Sequence, residues 1–236
     1  MGTIFFIRHG QASFGKDNYD ELSEIGVRQS LLLADYLVKT NRRFDAMYVG
    51  TLVRQLKTAE KLLELLRNNG KPVPELRRLE GLNEYPTEKI FPALAPYAVE
   101  ASPSLQEHIS RLMTDRRSFQ KVFEVIMSLW ASGAYTVAGL LSWNDFTTGV
   151  NRSIDEIMKR DGTGKNVAVF TSGGSISVAV QRTLNLSNDG TMRVAEQIVN
   201  SSISRFKCTT DRIMLFTFNE YPHLERENDE RLITYR

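Results

Sequence analysis

Apolar positions along the chain alternate between short continuous runs and helical stripes. Ile4, Phe5, Phe6 and Ile7 form an unbroken β-branched and aromatic run, the pattern of a strand buried on both faces. A polar loop from Ala12 to Glu21 follows. Ser23 is placed to cap a helix whose apolar face carries Ile25, Leu31, Leu32, Ala34, Leu37 and Val38. Phe44 to Val49 predicts a second strand. Leu52, Leu56, Ala59, Leu62, Leu63 and Leu66 predict a second helix, stopped by Asn68-Asn69-Gly70. Glu75 to Leu79 is a short third strand. Asn166 to Thr171 has the composition of a parallel strand, and a helix from Ser175 to Leu184 comes after it. Two more strands are expected at 201–208 and 212–218.

Between about 86 and 161 the pattern changes. Pro86, Pro92, Pro96 and Pro103 space its first part, and helical stripes run from about Ser104 to Ala131 and from Ser142 to Lys159. The expected architecture is a three-layer α/β/α fold with a mostly parallel sheet. It is read as one domain over residues 1–236, with a helical insertion at about 86–161 standing over one sheet edge.

Composition narrows the function classes. The 30 basic and 28 acidic residues nearly cancel, leaving +2, which gives no reason to expect nucleic-acid or membrane partners. A single cysteine, Cys208, excludes an internal disulfide. The first apolar run is too short for a signal-peptide core or a membrane span, and Phe6 stands where a myristoylation motif wants Ser or Thr. A soluble, cytoplasmic protein is expected.

Three polar segments each follow a predicted strand: Arg8-His9-Gly10, Gly50-Thr51 leading to Arg54, and Ser172-Gly173-Gly174. Parallel strands share one carboxyl edge, so these segments should meet there. Two arginines, a helix N-terminus and close-approaching glycines make an anion site suited to phosphate. An imidazole at its centre can attack phosphorus. Asp17, Asp20 and Glu21 have no histidine or cysteine among them and read as solvated loop charges rather than metal ligands. His108 reads as a surface or packing residue and His223 as structural. Ser172 is no hydrolase elbow, because Phe170 occupies the position where that motif needs glycine.

These motifs, in this order, resemble the histidine phosphatase superfamily, also called phosphoglycerate mutase-like. Arg8-His9-Gly10 is similar to its signature, and Leu22-x-x-x-Gly26-x-x-Gln29 to the start of its first helix. Thr51-x-x-Arg54-x-x-x-Thr58-Ala59 is similar to its second arginine motif, and Leu82-Asn83-Glu84 to the position of its acid. Val167 to Ile176 resembles the strand and turn that carry its second histidine; Asn200-Ser201-Ser202 and Asn219 to Leu224 resemble two late motifs. The resemblance implies His9 as nucleophile and Glu84 as proton donor. It implies phosphate binding by Arg8, Arg54, Ser172 and Gly173, with no metal and no cofactor. The implied partner is a small phosphoester substrate or phosphate. Ser172 stands where the family has its second histidine. Losing such a charged hydrogen bond costs about 1.5–3 kcal/mol, and losing a preorganised donor roughly 100- to 1000-fold in rate. A phosphomonoester phosphatase of reduced activity is therefore the implied function. The alternative is a phosphate-binding protein with little turnover. Phosphoglycerate mutase is disfavoured, because that branch keeps the second histidine.

Overall fold

The computed structural model describes residues 1–13, 20–111 and 114–235. Strand β1 (Gly2–Arg8) is buried at every position. Its side chains alternate between two cores, which is why the run is continuously apolar. Ile4 and Phe6 enter one core with Tyr48, Val167 and Val169. Phe5 and Ile7 enter the other with Met47, Val49, Ala168 and Phe170.

Six strands form one sheet in the order β3-β2-β4-β1-β5-β6. Strands β2 (Ala46–Val49), β3 (Leu76–Arg78) and β4 (Asn166–Thr171) join β1 in parallel. Strands β5 (Ile203–Cys208) and β6 (Ile213–Glu220) are antiparallel. Helices α1 (Glu24–Lys39) and α2 (Val53–Asn68) cover one face. Helices α3 (Thr87–Ala101), α4 (Leu105–Ser110), α5 (Arg116–Ser132) and α6 (Trp143–Asp161) precede β4, and α3, α5 and α6 contribute to the core on the other face. Helices α7 (Gly173–Leu184) and α8 (Asn188–Gln197) follow β4, and a short helix α9 (Pro222–Glu225) follows β6. This is the expected three-layer, mostly parallel arrangement.

The differences from expectation have local causes. The stripe over 104–131 is two helices, α4 and α5, because Asp115 starts the second by accepting from the N–H groups of Arg117 and Ser118. Helix α3 runs through Pro92 and Pro96. Both are exposed and four residues apart, so the carbonyls left without an N–H partner face water. Ile90, Leu94 and Ala98 are buried and hold the helix in place. Helix α8 was not expected. Ser187 caps it through Gly190 N–H, and only Thr191, Met192 and Ala195 are buried, too few for a visible stripe. No described helix is long and apolar enough to cross a membrane.

Candidate active site

The carboxyl ends of β1, β2 and β4 lie side by side. His9 N–H donates to the Thr171 carbonyl at 2.9 Å and Gly50 N–H to the Phe170 carbonyl at 3.2 Å. The three polar segments therefore share one edge, as their order in the sequence requires. Arg8, His9, Arg54, Glu84, Gly173 and Gly174 line a common cavity of about 640 Å³ there.

Each motif has a structural task around this cavity. Gly10 lies so close to α1 that a Cβ would strike the Gly26 carbonyl and Ser30. Its N–H donates to Thr58 Oγ1 at 3.0 Å, tying β1 to α2. Gly26 gives the same clearance to the Gln11 main chain. Gln29 accepts from Gln11 N–H at 2.8 Å and donates to the Leu232 carbonyl and to Thr234 Oγ1. Asn83 clamps Thr51 by accepting from its N–H and donating to its hydroxyl, both at 2.7 Å. The Asn200 side chain and Ser201 N–H both donate to the His9 carbonyl.

The imidazole of His9 is buried and has a defined tautomer. Nδ1 lies 2.6 Å from the Gly10 carbonyl, which can only accept, so Nδ1 carries the hydrogen. Nε2 is then the unprotonated nitrogen, and Arg54 Nε donates to it at 3.1 Å. Burial, with Arg54 and Arg8 nearby, holds the His9 pKa well below the usual imidazole value. The ring is neutral.

The arginines are fixed by different partners. Arg54 pairs with Asp20 at 2.6 Å, and Asp20 also accepts from Val53 N–H at 2.8 Å, at the start of α2. The reading of Asp20 as a solvated loop charge is thus corrected. Asp17 lies outside the described residues. Arg8 donates through Nη1 to the Ile198 carbonyl and through Nη2 to the Tyr235 carbonyl, the latter at 2.6 Å. Glu84 accepts from Gly174 N–H at 3.1 Å and from Tyr85 N–H at 3.2 Å. Burial nonetheless raises its pKa above the ordinary carboxyl value, outweighing these bonds and the two arginines.

Ser172 is placed differently from its neighbours. Its side chain is fully buried, and Oγ accepts from Gln55 Nε2 at 2.8 Å. Gly173 and Gly174 line the cavity; Ser172 does not. Its hydroxyl is turned into the packing between α2 and β4, so the geometry does not bring it to the anion site. His108 lies against α5, 2.9 Å from Ser118 Oγ, and the fully buried His223 sits 2.9 Å from Ser201 Oγ. Neither lines the cavity. Trp130, Tyr135, Leu140, Leu141 and Trp143 do not line it either. Trp130 and Trp143 are buried against one another with centroids 5.2 Å apart. Sequence reasoning missed Phe91, Phe119 and Phe123, which do line it.

Residues 4–88 match the family model of the histidine phosphatase superfamily (branch 1). Among solved structures, a phosphoserine phosphatase from Entamoeba histolytica, in complex with phosphoserine, is 20% identical with a TM-score of 0.62. That match covers 95% of this chain and 100% of that one. A phosphoglycerate mutase from Bacillus anthracis is 17% identical with a TM-score of 0.65, covering 96% of each chain. A mycobacterial glucosyl-3-phosphoglycerate phosphatase is 18% identical with a TM-score of 0.59, covering 92% and 98%. Identities this low speak to fold. Residues 4–88 thus carry the sequence pattern of the histidine phosphatase superfamily, and nearly the whole chain has the phosphoglycerate mutase-like fold.

Proposed function

We propose that the protein is a phosphatase that hydrolyses a small phosphomonoester through a phosphohistidine at His9. The observation that carries this reading is the state of that imidazole. Nδ1–H is held by the Gly10 carbonyl, and an unprotonated Nε2 faces a guanidinium at 3.1 Å. Nε2 attacks phosphorus while the bond to the leaving oxygen breaks. Arg54 and Arg8 take the phosphoryl oxygens as charge spreads over them. Glu84, whose raised pKa favours the protonated form, gives its proton to the leaving oxygen and releases an alcohol. Water then attacks the phosphohistidine. Its proton passes to Glu84, the bonding pair returns to Nε2, and inorganic phosphate leaves. Asp20 orients Arg54 throughout. Every charge in the scheme comes from a side chain, so turnover is expected to be indifferent to chelators.

A phosphate-binding protein with little turnover is the second reading. It is favoured by one observation: at the position that resembles the family's second histidine, Ser172 is buried against Gln55. Assay of p-nitrophenyl phosphate with chelator present separates the two. Slow turnover that is lost in His9→Ala supports the phosphatase. Phosphate binding without turnover supports the second reading, and activity unaffected by His9→Ala rejects the assignment of His9.

A further inference from the structure

The cavity has two chemically distinct parts. At the sheet edge stand Arg8, His9, Arg54 and Glu84. The same lining includes Pro86 and Phe91, at and near the start of α3, and Phe119 and Phe123 of α5. The rings of Phe91 and Phe119 are nearly parallel, 9° apart in plane with centroids 6.0 Å apart. Phe123 completes the group at 5.7 Å from Phe91 and 6.0 Å from Phe119. Phe91 and Phe119 are only partly buried. Aromatic side chains lining a cleft of this size are a mark of ligand binding. The volume of about 640 Å³ is far more than a phosphate fills. It falls within the roughly 300–1,000 Å³ of sites that enclose organic ligands.

We propose that the leaving group is an alcohol with an aromatic or similarly apolar body, seated on Phe91, Phe119 and Phe123 while its phosphoryl group lies at Arg8, His9 and Arg54. This rests on the reading of the site as a His9 phosphatase and names its substrate class. The bonds made and broken are unchanged; only the released alcohol is specified. Phenylalanine rings bury apolar surface but offer a carboxylate no hydrogen bond. Among the described lining residues the guanidinium groups are those of Arg8 and Arg54, there is no lysine, and Glu88 stands beside the apolar wall. Among those described residues, Arg8 and Arg54 apart, none offers a leaving-group carboxylate a cationic partner.

Phenethyl phosphate and phosphoserine both release primary alcohols, so comparing them isolates recognition of the leaving group. The expected kcat/KM favours phenethyl phosphate by about ten- to a hundredfold. Phe119→Ala and, separately, Phe91→Ala should each lower that ratio by about tenfold, mainly through KM. Equal or better use of phosphoserine overturns the substrate class, as does a ratio unchanged in both variants. In either case turnover lost in His9→Ala leaves the phosphatase reading standing. If neither ester is turned over, that reading is left to the p-nitrophenyl phosphate assay and fails if that too shows no turnover dependent on His9. The class is then decided by calorimetric binding of 3-phenylpropylphosphonate against 2-amino-4-phosphonobutyrate, the phosphonate counterparts of the two esters. Preference for the phenyl compound upholds the apolar class, and the reverse overturns it.

Discussion

His9 and Glu84 are pushed in opposite directions by similar surroundings. Burial disfavours the charged form of each, so the imidazole gives up its proton more readily and the carboxyl holds one to higher pH than usual. For His9 the arginines act in the same sense as burial; for Glu84 they oppose it and lose. This division suits a neutral nucleophile and a proton-bearing acid. The sign of the pH dependence follows. His9 stays neutral until the pH is well below the ordinary 6.5, so the acid limb of activity is displaced downward. Glu84 works only while protonated, so activity falls as pH rises through its pKa, which lies above the ordinary 4.5. Glu84→Gln keeps the shape but has no proton to give. Its kcat should fall by about 10²- to 10⁴-fold, and the basic limb should vanish from the pH–rate profile. A variant that keeps both rate and limb would remove Glu84 from the mechanism. Neither shift was legible in the sequence, where Glu84 is one carboxylate among 28 acidic residues and only the motif resemblance marks it. Asp20 was misread for a related reason: its partner Arg54 is distant in sequence, and a loop carboxylate shows no sign of that pairing.

At the scale of elements, the turn from β4 into α7 shows how tightly backbone and chemistry are joined. Gly174 donates its N–H to Glu84, and a Cβ at this position would meet the Glu84 carboxylate and the Tyr85 ring. Tyr85 cannot retreat, because it packs against Trp130 and Phe146 with centroids 5.0 and 5.5 Å away. Gly174→Ala should therefore displace Glu84. We expect it to cost roughly 1–3 kcal/mol in chemical denaturation and to remove the basic limb as Glu84→Gln does. An unchanged profile in a folded variant would show that the carboxyl does not depend on this clearance. Strands β1 and β4 and helix α1 with its Ser23 cap were legible in the sequence, because continuous apolar runs and caps are local signals. Helix α8 was not, since its sequence NDGTMRVAEQ carries a glycine and few apolar residues. In the sequence, α3 shows only as a proline-spaced stretch, because the exposure of Pro92 and Pro96 is settled only by packing against α5. Those two helices bring Phe91, Ala195 and Glu196 to the cavity, so without them part of its lining stays hidden in the sequence.

On the scale of the whole molecule, the sheet's topology does the assembling. Residues as far apart as Arg8, Arg54 and Gly173 converge because parallel strands end at one edge, and this convergence was legible from strand order alone, whereas Glu84 joins them in a way only the motif resemblance marked. The orientation of Ser172 was not, because it depends on Gln55 filling the space between α2 and β4. The segment near the C-terminus also reaches the site: the Tyr235 carbonyl holds Arg8, and Gln29 and Asn200 hold Thr234. Around this frame the central claim is that a phosphoryl group passes through one ring nitrogen. The most direct test quenches the protein in alkali during turnover of an aryl phosphate and locates the phosphoryl group by mass spectrometry. The account predicts an acid-labile phosphohistidine at His9 that is absent from His9→Ala. Turnover persisting in His9→Ala, or a phosphoryl group carried on another residue, would contradict it.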